Sequence, residues 1–272
     1  FSVISTGGFS TKNLSIASFD SNLINILTII FMFFSSVHFG LIYMVFATRS
    51  LRPLNNPVLK FYVLTILIAS LLVALSLKMS SAGFTWGDSF MTGIFQVVSY
   101  ISTTGFAISD NNTWPLFACF ITVLISIPCG MAGSTTGGVK SDRMFLIFKT
   151  IGQQIKNSIH PSSINQVHVG NHIMGSNEIY PHFVYFGLYF ITIAASIVLT
   201  VLSGMDIQNA FASSVSFLSN VGPALEAQGT LGNYNAVPVF AKVVFIIDMF
   251  MGRVEIYPIL AVVMMVFTGK KK

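Results

Sequence analysis

Long stretches of this chain contain no Asp, Glu, Lys or Arg, and they restrict it to a lipid environment. The uncharged stretches are residues 21–48, 61–77, 111–139 and 179–205. A helix needs roughly 20 apolar residues to cross a bilayer, and most of these stretches reach that length. Charged residues make up only 8% of the chain, whereas a soluble domain carries about 25%. The sequence therefore predicts an all-α polytopic membrane protein.

Basic residues indicate which loops face the cytoplasm, because inner loops carry an excess of Lys and Arg. They cluster at 49–60, 140–156 and 270–272. The opposite loops hold Asp20, Asp88, Asp110, Asp206 and Glu226. These charges predict that residues 21–48 run inward, 58–78 outward, 112–140 inward, 180–203 outward and 236–267 inward.

Three short segments look like copies of one polar turn with a glycine in the same register. They read Ile4-Ser5-Thr6-Gly7-Gly8-Phe9, Ile101-Ser102-Thr103-Thr104-Gly105-Phe106 and Leu218-Ser219-Asn220-Val221-Gly222-Pro223. The later copies follow apolar stretches 88–100 and 206–218, which are too short to span a bilayer and begin with Asp as a candidate N-cap.

Short helices that end in such turns are typical of a cation pore. A helix C-terminus carries partial negative charge. Glycine at positive φ lets backbone carbonyls replace the hydration shell of the ion. All three turns are therefore expected on the outer side as one selectivity filter, with Gly105 and Gly222 at positive φ. The candidate filter residues are Thr6, Gly7, Gly8, Thr103, Thr104, Gly105, Asn220, Val221 and Gly222.

A glycine-rich segment at residues 128–140 interrupts the inward stretch 112–140. Its composition excludes an ordinary helix, and irregular backbone at membrane depth must be buried in protein or line a cavity. We expect a gate below the filter in the ion path. The alternative is a set of small residues for close helix packing. The candidate gate residues are Gly130, Gly133, Ser134, Thr135, Thr136, Gly137, Gly138 and Arg253.

Arg253 joins the gate because it lies near the middle of the last apolar stretch, where a charge usually faces a cavity or a partner. Its guanidinium is expected to bond loop carbonyls and to repel cations. Alternatively, Arg253 reaches the inner interface and pairs with Glu255. Asp248 and Glu255 are two helical turns apart, so we expect them to share a face and contact a neighbouring helix or subunit.

The remaining polar residues predict no further chemistry. His38 is expected to be a hydrogen-bonded packing residue, and Cys119 and Cys129 to be packing or lipid-facing residues. The other histidines are not accompanied by a cluster of metal ligands. We find no nucleophile–base pair and no nucleotide fingerprint, so an enzyme is not expected.

The order of span, short helix, glycine turn and span resembles the repeat of the Trk/Ktr/HKT superfamily of potassium transporters, most closely the bacterial TrkH/KtrB membrane subunits. Residues 252–256, Gly-Arg-Val-Glu-Ile, resemble the Gly-Arg-Leu-Glu-Ile stretch of that family, and 128–140 resembles its intramembrane gating loop. The resemblance implies four repeats around a central, potassium-channel-like pore. Residues 1–57 would end the second repeat, 58–178 form the third and 179–272 form the fourth, as the C-terminal part of a longer protein.

The resemblance also implies a potassium ion as substrate at the filter residues, no cofactor, and a bacterial inner membrane location. The implied partners are lipid, a second copy in a homodimer, and a cytosolic nucleotide-binding regulatory subunit of TrkA or KtrA type, docked on residues 140–156; nucleic acid is not implied. The alternatives are a sodium-selective member of the superfamily, a secondary transporter whose discontinuous helices bind an ion at the midplane, and a membrane anchor.

Overall fold

The structure, a computed structural model, describes residues 1–80, 83–160, 167–170, 172–225 and 228–268. The helices are α1 Asn22–Ser36, α2 Phe39–Thr48, α3 Pro57–Met79, α4 Trp86–Ile101, α5 Leu116–Ile125, α6 Ser141–Ile159, α7 Ser176–Leu202, α8 Ile207–Ser219, α9 Val239–Val254 and α10 Ile256–Thr268. Short 3-10 helices cover Ser15–Phe19, Arg52–Leu54 and Asn111–Thr113, and strands β1 Val167–Val169 and β2 His172–Met174 pair antiparallel. Glu226 and the lysines at 270–272 lie outside the described residues.

Among the described residues, two helices are long and apolar enough to cross a membrane by themselves, and they coincide with the predicted spans 58–78 and 180–203. They are Pro57–Met79, with 23 residues, and Asn177–Leu202, with 26. Asn56 caps the first of them by accepting a hydrogen bond from the Val58 amide. Pro57 follows at the first helical position, where its missing N–H costs nothing.

The stretches 21–48 and 236–267 are each interrupted by a sharp bend, which the sequence did not predict. Each consists of two helices, α1 with α2 and α9 with α10, which meet at bends of 95° and 111°. Val37 is extended, and the His38 ring then caps α2 by accepting from the Gly40 amide at 2.8 Å. Glu255 has a φ of 71° and ends α9. Hydropathy reports that a stretch prefers lipid, but it carries no information about whether the helix stays straight.

The predicted interruption of 112–140 is confirmed, because α5 ends at Ile125 and α6 begins at Ser141. Both predicted short helices are also present, as α4 and α8. Asp206 caps α8 by accepting from the Gln208 amide. The cap of α4 is Thr85 rather than Asp88: the Thr85 hydroxyl accepts from the Asp88 amide and donates to the Asp88 carboxylate at 2.6 Å. Thr is itself a good N-cap, so the helix begins earlier.

Each short helix packs against several other helices. Helix α4 contacts α3, α1 and α5, and α8 contacts α9 and α7. The first core contains the fully buried Tyr62, Phe95 and Tyr100, and the second contains Tyr185 and Tyr189. The outward faces carry exposed Leu and Ile side chains instead of charges. In lipid, close packing rather than water exclusion holds such helices together.

Candidate functional site

The three polar turns have the same backbone conformation. Positive φ occurs at two positions of each: Thr6 (51°) and Gly8 (66°), Thr103 (53°) and Gly105 (76°), Asn220 (62°) and Gly222 (103°). The positive φ expected of Gly105 and Gly222 is confirmed. Left-handed threonines were not predicted, since a β-branched residue rarely adopts positive φ. Such strain persists only when the surrounding structure enforces it, and it clusters at functional sites.

The hydrogen bonds of the turns also match. The amides of Gly7, Thr104 and Val221 donate to the carbonyls of Ser2, Ser99 and Ser216, five residues earlier, at 2.9, 3.0 and 2.9 Å. The preceding amides, of Thr6, Thr103 and Asn220, donate to carbonyls three residues earlier. This pair of bonds is the Schellman motif, which ends a helix on a left-handed residue. The repeat in the sequence is therefore a repeat of structure.

The turns stand side by side, in contact through backbone. A Cβ built on Gly8 would overlap the carbonyl oxygen of Thr104, and one built on Gly105 would overlap that of Val221. Gly8 and Gly105 therefore each contact the carbonyl at the matching position of the next turn, and no other residue type permits so close an approach. At Gly222 no described atom lies within 4 Å of the equivalent position, so that face of the third turn is open.

The glycine-rich loop bonds to the first two turns. The Thr6 hydroxyl donates to the Thr135 carbonyl at 2.9 Å, and the Thr135 hydroxyl donates to the Ile4 carbonyl at 3.0 Å. The Gly137 amide donates to the Thr103 hydroxyl at 3.3 Å. The left-handed residues of both turns thus bind the loop through their side chains.

The loop also packs against the third turn. A Cβ on Gly137 would lie 2.9 Å from the Ser219 carbonyl oxygen and from the Asn220 side chain. A Cβ on Gly130 would lie 2.7 Å from the Ser36 carbonyl oxygen at the end of α1. Gly133 and Gly138 have φ of 75° and 68°. Close packing, the alternative reading of the glycines, therefore applies at Gly130 and Gly137, within a loop that also adjoins all three turns.

The first turn of α6 anchors the other side of the loop. The Ser141 hydroxyl donates to the carbonyls of Pro128 and Cys129, at 3.1 and 2.5 Å, and the Ser141 amide donates to Gly130. The Asp142 carboxylate accepts from the Ala132 amide at 2.5 Å. These bonds fix the beginning of the irregular segment to the first turn of α6.

Arg253 lies beside the first turn and does not bond the loop carbonyls, which corrects the expected contact. Its guanidinium donates to the Thr6 hydroxyl at 3.4 Å and to the Ser5 carbonyl at 3.5 Å. The cation that reaches a loop carbonyl is Lys140, whose ammonium donates to Thr136. The sequence pattern predicts that Lys140 lies on a docking surface. Its position directly after the glycine cluster, however, indicates a contact with the loop.

Glu255 pairs with Arg143 at 2.7 Å, not with Arg253. The Arg143 guanidinium also lies 4.0 Å from the centre of the Tyr185 ring, so it is engaged within the protein. Asp248 is buried and accepts from the Ser196 hydroxyl of α7. Both acids contact neighbouring helices as expected, but they do not share a helix face, because α9 ends between them.

The other polar residues of the apolar stretches pack as predicted. The His38 ring lies against Gly133, where a Cβ would come within 3.0 Å, in addition to its cap of α2. Cys119 and Cys129 are both buried and free, so neither faces lipid. Among the described residues, no group of three or more His, Cys, Asp or Glu could hold a metal ion.

Tyr234 also belongs to the site, although the sequence shows it only as an aromatic residue in a loop. Its hydroxyl donates to the Gly222 carbonyl at 2.8 Å. Burial raises the pKa of this phenol, so the hydroxyl stays protonated. A neutral Tyr234 is therefore a permanent donor to a carbonyl of the third turn.

Comparison with known proteins identifies relatives along nearly the whole chain. A family model described as TrkH, cation transport protein, matches residues 1–269. The Trk system potassium uptake protein TrkH of Escherichia coli (strain K12) is 31% identical over 265 residues, which cover 96% of this chain and 54% of that protein. TrkG of the same strain is 30% identical over 263 residues, which cover 95% of this chain and 53% of that protein.

A solved structure agrees with the sequence relatives. The crystal structure of the potassium transporter TrkH from Vibrio parahaemolyticus matches with a TM-score of 0.89 and 29% identity, over 96% of this chain and 56% of that one. The chain thus spans about half the length of the relatives that it matches.

Proposed function

The chain belongs to the TrkH family of cation transport proteins, and from that premise we propose that it supplies three filter turns and the gate of a potassium uptake pore. Family membership sets it among membrane transport proteins rather than enzymes. The observation that carries the proposal is the set of three turns with one backbone conformation, with Gly8 and Gly105 each packed on a carbonyl of the next turn.

The filter coordinates potassium through backbone carbonyls at the C-terminal ends of α4 and α8. The glycine in the shared register lets neighbouring turns approach closely enough for their carbonyls to surround one ion. The helix ends add partial negative charge, which favours a cation. The open face at Gly222 is where a fourth turn, from elsewhere in the whole protein, closes the ring. Relatives named as potassium uptake proteins support potassium as the ion.

The loop at 128–140 is the gate, and its closed form is the one described above. It is bonded to the left-handed residues Thr6 and Thr103 and packed on Asn220. Arg253 and Lys140 add positive charge next to the same turns, which repels a cation that has passed the filter. Opening therefore requires the loop to exchange these hydrogen bonds for water.

We also infer a cytosolic regulatory subunit, because the relatives are named as parts of a Trk system, and a homodimer, which the family resemblance implies. Lys140 and Arg143 bond within the protein, so the docking surface on α6 moves to Lys149 and Lys156. Lys149 donates to the His168 carbonyl and is partly exposed, and Lys156 is exposed.

The filter assignment is tested by Gly105→Ser in the full-length protein in liposomes. A serine Cβ would overlap the Val221 carbonyl and strain a φ of 76°, so potassium over sodium discrimination should fall about tenfold or more, equivalent to about 1.4 kcal/mol. Gly170→Ser is the matched control, because Gly170 has a φ of 60° and no described atom within 4 Å of its Cβ position. Unchanged discrimination in folded Gly105→Ser protein would remove Gly105 from the filter.

A secondary transporter remains the second candidate, favoured by the bends of 95° and 111° that break two apolar stretches. It places the bound ion at the breaks rather than at the turns. Substitutions at His38 and Glu255 would then change ion selectivity, whereas Gly105→Ser would not.

A further inference from the structure

The segment that follows each turn holds the next turn in the chain. Ala107 and Ala224 occupy the same register, two residues after the turn glycines. The Ala107 carbonyl accepts from the Ala17 amide at 3.1 Å, and the Ala107 amide donates to the Ser15 hydroxyl at 3.2 Å. Both partners lie in the segment after the first turn. Ala107 is therefore clamped from the preceding repeat.

Ala224 is likewise bonded through both its carbonyl and its amide, but only the carbonyl bond reaches the preceding repeat. Its carbonyl accepts from the Asn111 side-chain amide at 2.9 Å, and its amide donates to the Gln228 carbonyl at 2.8 Å. Asn111 lies in the segment after the second turn. The brace between repeats thus recurs, but at Ala224 one side chain replaces the backbone donor used at Ala107.

The Asn111 side chain is locked in one orientation. Its oxygen accepts from the Thr230 amide at 3.0 Å, and its own backbone amide donates to the Thr230 hydroxyl at 3.0 Å. The Thr230 hydroxyl in turn donates to the Ser109 carbonyl at 2.8 Å. Because the Asn111 oxygen must face an N–H, its nitrogen must face Ala224. Asn111 is 3% exposed, so water does not compete for these bonds.

We propose that Asn111 is a specificity-determining positioning residue, which sets the third turn against the second. This inference rests on the proposed function, since it assumes that the turns form an ion filter. Only Pro223 separates Ala224 from Gly222, and proline leaves little backbone freedom between them. A displaced Ala224 therefore moves the Gly222 carbonyl, and selectivity depends on the size and field strength of the carbonyl site.

The experiment compares Asn111→Asp with Asn112→Asp in the full-length protein in liposomes, with relative potassium and sodium permeability as the readout. Asp at 111 keeps the shape and the acceptor for Thr230 but loses the donor to Ala224. We expect the potassium-to-sodium ratio to fall three- to tenfold, about 0.7–1.4 kcal/mol. Asn112 is exposed beside it, so Asn112→Asp adds the same charge and should leave the ratio unchanged.

A second variant covers the case in which Asn111→Asp does not fold. Thr230→Val removes the hydroxyl that orients Asn111 but keeps the side-chain shape, and it should lower the ratio in the same direction by a smaller factor. A merely structural role would lower thermal stability in both variants without changing the ion ratio of the folded protein.

The outcomes separate this inference from the proposed function. Unchanged ratios in folded Asn111→Asp and Thr230→Val, together with a lowered ratio in Gly105→Ser, would overturn the brace alone. An equal loss in Asn112→Asp would overturn it too, because charge rather than position would then be the cause. A parent protein that does not conduct potassium would overturn both.

Discussion

At the residue scale, the site depends on residues in conformations that their types disfavour. Thr6 and Thr103 are left-handed although threonine is β-branched, and Asn220 at the matching position is a residue that tolerates this region. The first two use their hydroxyls to bind the loop. The strained conformation thus aims a polar side chain at the loop while the following glycine meets the next turn.

Arg253→Ala should raise cation flux. The variant removes a positive charge and two bonds to the first turn, of 3.4 and 3.5 Å. Because Arg253 does not bond the loop, the expected effect comes from the loss of its positive charge beside the first turn. Removing a repulsion of about 1.4 kcal/mol would raise cation flux roughly tenfold. Flux into liposomes is the measurement.

Two further variants sharpen this test. Arg253→Lys keeps the charge and loses the planar donor geometry, so its flux should lie between those of the parent and Arg253→Ala. Arg52→Ala removes an exposed arginine far along the chain and should change nothing. If Arg253→Ala abolishes flux in well-folded protein, Arg253 supports permeation rather than closure.

At the element scale, the short helices are held by close approach to their neighbours. Helix α9 crosses α8 at Gly252, where an added Cβ would overlap the Leu218 carbonyl. Leu218 is the first residue of the third turn, so this contact sets the distance between α9, which carries Arg253, and the filter. The breaks within the pairs α1–α2 and α9–α10 both lie beside the site, after Ser36 and at Glu255.

Gly252→Ala should therefore destabilise the protein, because overpacking of this kind costs about 1–3 kcal/mol. The thermal unfolding midpoint in detergent should fall accordingly. Gly187→Ala in α7 is the control: no described atom lies within 4 Å of its Cβ position, and alanine should stabilise a helix by about 0.5–1 kcal/mol relative to glycine. Equal midpoints for the two variants would show that α9 can move away from α8 at no cost.

At the scale of the whole molecule, three turns from distant parts of the chain form one surface, and one loop covers it. The turns are separated by 97 and 117 residues in the sequence, yet backbone contacts join each to the next. Because the repeats run in the same direction, all the helix ends meet on one side. The loop charges predict that this side is the outer one, with the loop beneath the turns.

Cysteine labelling tests this orientation. Single cysteines at the exposed positions Lys12 and Asn112 should react with an impermeant reagent from outside, and one at Asn55 only from inside. The native Cys119 and Cys129 are buried, which keeps the background low. Asn165, a further inner position by sequence, lies outside the described residues. External labelling at Asn55 would reverse the topology and move the turns to the inner side.

The sequence alone determined the class of fold, the short helices α4 and α8, the three turns and the glycine-rich loop. These features are local: hydropathy selects lipid, Asp206 caps a helix, and glycines at a fixed register mark repeated turns. Gly105 and Gly222 at positive φ follow from the same local logic, since carbonyls aimed at an ion need that backbone.

Only the tertiary structure decided which groups meet. Arg253 bonds the first turn, whereas the loop carbonyl that it was expected to bond is bonded by Lys140. Glu255 pairs with Arg143. The bends at Val37 and Glu255 were hidden for the same reason. The composition of an uncharged stretch is the same whether its helix is straight or broken. The hydrogen bonds that compensate a break come from residues far away in the chain, such as the bond from the Met131 amide to the Ser36 carbonyl.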